Sequence, residues 1–271
     1  MFDVYSYSIR TNFLITLFIS LCSFLPVSHA FDKNTPLIAA TLEYPPYEYS
    51  ENGKAKGIAV EIIREVARRT GVKHVQFNFY PWKRAVYSAK VGDSHLLFNA
   101  GKNEERQLWG RYSDSVLILQ KYVLFKRATS TIEVDNTFDN VSDVAIAIRM
   151  GYLYGTGPFR QAVDSEKFAS VTLSKSTQQS VNMLLGDRID LFIGDYLPVM
   201  HYIKKHHLEN QIDVIKRKEA PTQNLIVLTW PTYLLFSKKN VDVHFVSEVK
   251  ETLDQMKDDG FVDEVFQRYM Y

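Results

Sequence analysis

Residues Leu37 to Gly71 read LIAATLEYPPYEYSENGKAKGIAVEIIREVARRTG. The period of this stretch changes along its length. Leu37–Leu42 is a short apolar run of strand length. Tyr44-Pro45-Pro46-Tyr47 must be an extended loop, because two prolines remove backbone donors and push the residue before each toward extended backbone. Over Ile58–Arg69 the apolar residues Ala59, Ile62, Ile63, Val66 and Ala67 share one helical face, and Gly71 follows as a stop. Strand, loop and amphipathic helix in this order make the repeating unit of an α/β layer.

The unit recurs outward from there. Val75, Phe77 and Phe79 alternate with polar neighbours as a strand, and Pro81 opens a helix over Trp82–Lys90 that stops at Gly92. Ser94–Phe98 reads as a strand, and Asn103 caps a short helix entered through Glu104 and Glu105. Gln120–Lys126 is a strand. A polar stretch, Arg127–Asn140, separates it from a strand at Val144–Ile148 and a glycine-rich turn at Gly151–Gly157. Ser176-Thr177-Gln178-Gln179 has capping-box spacing before a helix ending near Leu185. Ile189–Ile193 is a strand broken by Gly194-Asp195. Tyr233–Ser237 is a late strand, and Val243–Lys257 and Phe261–Tyr269 are closing helices.

The N-terminus differs in kind. Arg10 precedes an apolar run, Phe13 to Leu25, which is broken by Pro26 and followed by Ser28-His29-Ala30. That order is a secretory signal peptide over residues 1–30, short for a bilayer span of about 20 apolar residues. The one cysteine, Cys22, lies inside this segment after Leu21, which is not the small residue that a lipidation signal needs. The remaining 241 residues carry no cysteine, so disulfides, a thiol nucleophile and a thiolate metal site are excluded there. Export predicts a periplasmic location. At 46% hydrophobic the chain has ample core material, and a net charge of +1 gives no long-range pull toward nucleic acid.

About 240 residues of alternating strand and helix fit two α/β lobes better than one. Breaks near Arg127 and Trp230 are the expected crossovers. They would build lobe 1 from residues 31–126 and 231–271 and lobe 2 from residues 127–230. Ligands of open α/β sheets bind beyond the carboxyl ends of strands. Here those ends lead into Tyr44–Tyr47, Asn99–Arg106, Gly151–Thr156 and Gly194–Tyr196. These loops hold an arginine that can grip a carboxylate, an aspartate that can hold an ammonium, and aromatic faces.

The motifs in sequence resemble those of the extracellular solute-binding proteins of family 3, which serve amino-acid ABC importers. Tyr44-Pro45-Pro46-Tyr47-Glu48-Tyr49 with Asn52-Gly53-Lys54 and Gly57 is similar to that family's opening. Gly92-Asp93 with Asn103-Glu104-Glu105-Arg106, Gly186-Asp187-Arg188-Ile189-Asp190 with Gly194-Asp195, and Lys257-Asp258-Asp259-Gly260 resemble its later signatures. The resemblance implies a type II periplasmic-binding-protein fold, two α/β lobes on a two-crossover hinge that closes on a small polar ligand, an amino acid or a related molecule. It also implies delivery to an inner-membrane ABC permease by a monomer, without cofactor, metal or catalysis. By that resemblance Arg106 holds the ligand carboxylate and Asp195 its ammonium, while Tyr47 and Trp82 line the side-chain pocket. Asn99 and Gly101 then offer contacts from lobe 1, and Gly151 and Tyr152 from lobe 2.

Alternatives stay open at this point. Arg106 also reads as a solvated residue of a helix's first turn, and Asp195 as the N-cap of a helix over Tyr196–Lys205. Tyr47 and Trp82 also read as core packing. Family members that bind amino acids often carry hydroxyl residues near the positions of Gly101 and just after Gly151, where this chain has Asn99-Ala100-Gly101 and Gly151-Tyr152-Leu153-Tyr154. Periplasmic cyclohexadienyl dehydratases share the resemblance, with Glu43, Glu48 or Glu219 as the available acids. A sensor module for a membrane receptor is a third reading. Arg160 stands where a dinucleotide fingerprint begun by Gly155-x-Gly157 needs a glycine, and His201, His206 and His207 lack the i, i+4 spacing of a helical zinc pair.

Overall fold

The computed structural model describes residues 30–152 and 154–270. The segment expected to be a signal peptide lies, up to His29, outside the described residues. Strands β1 (Leu37–Thr41), β2 (Tyr49–Glu51), β3 (Lys54–Lys56), β4 (Val75–Phe79) and β5 (Leu96–Gly101) interleave with helices α1 (Ile58–Arg69), α2 (Trp82–Val91) and α3 (Glu104–Trp109). Then follow β6 (Gly110–Arg127), β7 (Ala145–Arg149), α4 (Pro158–Asp164), β8 (Ser170–Ser174), α5 (Thr177–Leu185), β9 (Leu191–Asp195) and α6 (Tyr196–Lys205). The chain closes with β10 (Ile212–Val214), β11 (Lys216–Arg217), β12 (Ala220–Asn224), β13 (Ile226–Ser237), α7 (Val243–Asp258) and α8 (Phe261–Tyr269).

The main sheet runs in the order β4-β1-β5-β13-β6-β9-β7-β8, with β10 added beside β6. Its two halves are each largely parallel and meet only through β6 and β13, which pair antiparallel along most of their length. β13 holds β5 from Thr232 onward, and β6 holds β9 from Tyr122 onward. Between those points the two long strands form a two-stranded neck, with Leu119 opposite Pro231 and Gln120 opposite Trp230. The sequence predicted only Gln120–Lys126 and Tyr233–Ser237 as strands. β6 begins ten residues earlier, at Gly110, because buried Tyr112, Leu117 and Ile118 continue it.

Period-two alternation gives each half a core on both faces of its sheet. On the first half, Leu96 and Phe98 join Ile58, Ile62, Ile63 and Val66 of α1 and Val249 and Leu253 of α7, while Leu97 and Ala100 meet Ala85 and Ala89 of α2. On the second half, Leu124, Ile146, Leu191 and Ile193 meet Phe159 and Ala162 of α4, while Val123, Phe125, Ala147 and Phe192 meet Val181, Leu184, Val199 and Ile203. Each fully buried Val, Leu, Ile or Phe among them contributes roughly 1.5–3 kcal/mol.

Several boundaries follow the sequence signals. α1, α6 and α8 occupy the expected residues, and Gly92 ends α2 in a left-handed conformation. The side chain of Asn103 accepts the Arg106 backbone N–H, and that of Ser176 accepts the Gln179 N–H. The reciprocal half of the predicted capping box falls one residue early: Gln179 Oε1 accepts from the Lys175 N–H at 2.8 Å. The hairpin β2–β3, helix α4 and the mostly exposed strand β8 carry too few buried apolar residues to announce themselves.

Candidate functional site

The proline loop meets α1 through backbone rather than a side-chain cap. Ile58 and Ala59 donate their N–H groups to the carbonyls of Pro46 and Tyr47 at 3.1 and 2.8 Å. This contact requires Gly57, at φ +116°, because a Cβ there would stand 2.4 Å from the Tyr47 oxygen. The loop thereby packs Tyr47 and Glu48 into the first half, 1% and 0% exposed.

β5 supplies the next part. Tyr233 opposes Ala100 but Leu235 opposes Leu97, so Phe98 and Asn99 together face Leu234: a bulge. Asn99 takes the left-handed conformation, φ +55°, which asparagine tolerates better than most residues. The side chain of Asn99 is fixed from both ends. Its Nδ2 donates to Glu48 Oε1 at 2.7 Å, and its Oδ1 accepts from Thr232 Oγ1 at 2.6 Å and Gln120 Nε2 at 3.5 Å. Among the described residues the other Glu48 oxygen has no partner, and burial pushes this carboxyl well up from the ordinary range, with Asp195 adding to the rise.

A cleft of about 420 Å³ lies beside this network. The predicted residues Trp82, Asn99, Gly101, Arg106, Gly151 and Tyr152 all line it, together with Tyr44, Gln120, Tyr122 and Trp230. Arg106, in α3, donates from Nη1 to the Gly101 carbonyl at 2.9 Å and lies over the Trp82 ring, 5.3 Å from its centroid. It is therefore a positioned cation, not a freely solvated one. Gly101 has no side chain because Trp230 occupies that space: a Cβ would stand 2.5 Å from the indole nitrogen. The hydroxyl missing at this position is replaced by an indole.

Asp195 sits deeper, at the end of β9, 3% exposed. Tyr47 donates its hydroxyl to Oδ1 at 3.0 Å, and Tyr44 to Oδ2 at 3.3 Å. Burial raises its carboxyl to about 7, against the lowering effect of these two tyrosines and the Lys121 backbone. Asp195 occupies the N-cap position of α6 without a side-chain capping bond. It lines a smaller pocket of about 30 Å³ that adjoins the cleft. The structure thus joins Asp195, from the second half, to Tyr44 and Tyr47, from the first. Tyr47 is on neither pocket wall; it reaches the site only through its hydroxyl.

The sequence reading missed Tyr44, Gln120, Tyr122, Trp230, Thr232 and Arg149 as site residues. Gln120, Tyr122, Trp230 and Thr232 belong to the neck strands or border them, where no loop signal marks a site. Of the acids considered, Glu43 and Glu219 are exposed, and only Glu48 borders the site. Among the described residues no cluster of metal-ligating side chains occurs, and no helix is long and apolar enough to cross a membrane.

Comparison with known proteins adds a lineage to this geometry. The model for bacterial extracellular solute-binding proteins, family 3, matches residues 37–271. The L-cystine-binding protein TcyA of Bacillus subtilis is 24% identical over 228 residues, 83% of this chain and 77% of that protein. Among solved structures, an ancestral cationic amino acid solute-binding protein, AncCDT-1, superposes with a TM-score of 0.67 at 17% identity, over 87% of this chain and 96% of its own. The L-cystine solute receptor of Neisseria gonorrhoeae, unliganded and open, gives 0.66 at 21% identity, over 86% and 92%. The shared fold is the type II two-lobed architecture.

Proposed function

This chain belongs to the bacterial extracellular solute-binding proteins, family 3, and on that premise we propose that it captures an amino acid in the cleft for delivery to an ABC-type inner-membrane permease. The observation that carries the reading is a stacked, oriented Arg106 on the cleft wall together with a buried Asp195, held by two tyrosines, in the pocket that adjoins it. An α-amino acid carries the complementary pair of charges. Its carboxylate suits the guanidinium of Arg106, with Asn99 and the wall at Gly101 beside it. Its ammonium suits Asp195, and would draw that carboxyl back to the ionised form. Trp82, Tyr152 and the backbone at Gly151 cover the ligand's remaining surface, while Tyr47 acts by holding Asp195.

We place the hinge on the neck around Gln120 and Trp230, where the sheet is only two strands wide, with the lobes on either side. A ligand touching both lobes favours their approach through its greater affinity for the closed state. The reading is of a binder and not a catalyst: Glu48, the only considered acid beside the cleft, is committed to Asn99. Export with cleavage after Ala30 belongs to the same proposal. Phe31, the first residue after the cut, stacks on Phe245 and donates its backbone nitrogen to Asp242 at 2.6 Å, a contact that a free ammonium would strengthen.

A thermal-shift screen over amino acids, polyamines and organic acids tests the function. The expected result is stabilisation by amino acids, about 2.7 kcal/mol at 100 times the dissociation constant. With the best ligand, Arg106→Ala should weaken binding at least tenfold by calorimetry, about 1.4 kcal/mol. Unchanged affinity in both Arg106→Ala and Asp195→Ala would sink the assignment.

A further inference from the structure

Arg149 ends β7 beside the site and is not used by the amino-acid reading. The other partly buried arginines, Arg69, Arg106, Arg111, Arg127 and Arg160, each donate to a carbonyl or a carboxylate. Among the described residues the Arg149 guanidinium has no such acceptor. Its contact is with the Tyr152 ring, 5.6 Å from the centroid. Five N–H donors are held on a strand end, next to a ligand cleft, without an acceptor. The guanidinium is half-buried and lines a ligand pocket, so a bound anion is the acceptor that the site itself can add.

The surroundings define what that partner is. Arg149 lines the small pocket of about 30 Å³, with Ser174, Thr177 and Ser180 on the same wall. Ser174 and Ser180 are bonded to each other at 2.8 Å. A space of this size admits a group of a few heavy atoms, such as a carboxylate. Tyr44, Tyr122 and Tyr152 line both this pocket and the larger cleft, so the two communicate past three aromatic side chains. The Asp195 carboxylate is also on the pocket wall, but it is taken by Tyr44 and Tyr47 and forms no ion pair with Arg149. Apart from Lys102, which is paired with Asp114, the site therefore offers two cations, Arg106 and Arg149, one from each half, and one acid, Asp195.

We propose that the ligand is an amino acid with a second acidic group, one carboxylate at Arg106 and the other at Arg149, its ammonium at Asp195. The inference rests on the amino-acid reading for the first and last of these contacts. A monocarboxylate would close the cleft over an arginine without an acceptor, and a cationic side chain would meet a like charge. A dicarboxylate satisfies both guanidinium groups by charge-assisted hydrogen bonds.

Calorimetry on the protein beginning at Phe31, with matched pairs, tests this. The pairs are L-glutamate with L-glutamine, meso-diaminopimelate with L-lysine, and L-cystine with L-methionine. In at least one pair the dicarboxylate should bind tenfold or more tightly than its partner. Arg149→Gln should reduce that ratio to within threefold, chiefly by weakening the dicarboxylate. A monocarboxylate as the tightest ligand, or an undiminished ratio in Arg149→Gln, overturns the second-carboxylate inference and leaves the amino-acid reading standing. Absence of binding by all six overturns both.

Discussion

The two halves of the cleft are built to different standards. On the first half, the Tyr44–Tyr49 loop, the Asn99 bulge and Arg106 are locked by backbone contacts, side-chain hydrogen bonds and stacking. On the second half, Tyr152 is 38% exposed, and among the described residues Gly151 has no atom within 4 Å of where a Cβ would be and the Arg149 guanidinium has no acceptor. One wall is preorganised and the other is left to be completed. Preorganisation reduces the ordering cost of the first contact, and on the proposed closure an incomplete second wall would reserve binding energy for lobe approach. Asp195 is the exception that joins them: it belongs to the second half by chain and to the first by its tyrosines.

The largest effect should come from breaking the rigid wall at its glycine. In Gly57→Ala, a Cβ would meet the Tyr47 oxygen at 2.4 Å and the Pro46 oxygen at 2.7 Å, and all of these are backbone atoms. Relief requires moving the loop that caps α1, in a conformation alanine rarely adopts. Urea unfolding should show a loss of more than about 3 kcal/mol. A loss under about 1 kcal/mol would mean that the loop is not the rigid part.

Asp195 tests the junction through pH. Its carboxyl titrates at about 7 in the folded chain, against an ordinary value of 3.8. The folded state therefore holds this proton over a range in which the unfolded chain has lost it. Stability from this group is complete below pH 4 and is lost as pH rises through 7. Asp195→Asn removes the dependence. Without ligand, the variant should exceed the native protein at pH 8 by roughly 2–4 kcal/mol and converge with it toward pH 4. Parallel urea midpoints across that range would show that Asp195 is not desolvated in the open protein.

The same contrast explains what the sequence disclosed. The rigid half is written locally: Pro45-Pro46, Gly57 and the spacing of Ile62, Ile63 and Val66 each act on backbone within a few residues, so the loop and α1 were legible. Arg106 was singled out by the family signature that Asn103-Glu104-Glu105-Arg106 resembles; its helix start alone reads equally as a solvated first turn. Gln120, Tyr122, Trp230 and Thr232 were not, because they become a site only when β6 and β13 pair over more than a hundred residues of separation. Tyr47 was legible as important but not in its role, since nothing local says that its hydroxyl crosses to Asp195. Arg149 reads in sequence as an ordinary strand-end arginine. Only the tally of hydrogen bonds in the folded chain separates it from the others.

The smallest effect belongs to the open wall. Gly151 has φ +76°, a left-handed value that alanine rarely adopts, but among the described residues a Cβ there meets nothing within 4 Å. The cost of Gly151→Ala is then conformational only, about 1 kcal/mol. Unfolding should accordingly change little. Ligand affinity is a separate matter, because Gly151 lines the cleft that the proposed closure would narrow. If the second wall is completed by closure, the variant should keep near-native stability without ligand and lose affinity severalfold, mainly through faster dissociation. Equal losses in stability and affinity would place Gly151 in a preformed wall like that of Gly57, and the asymmetry between the two halves would fall with it.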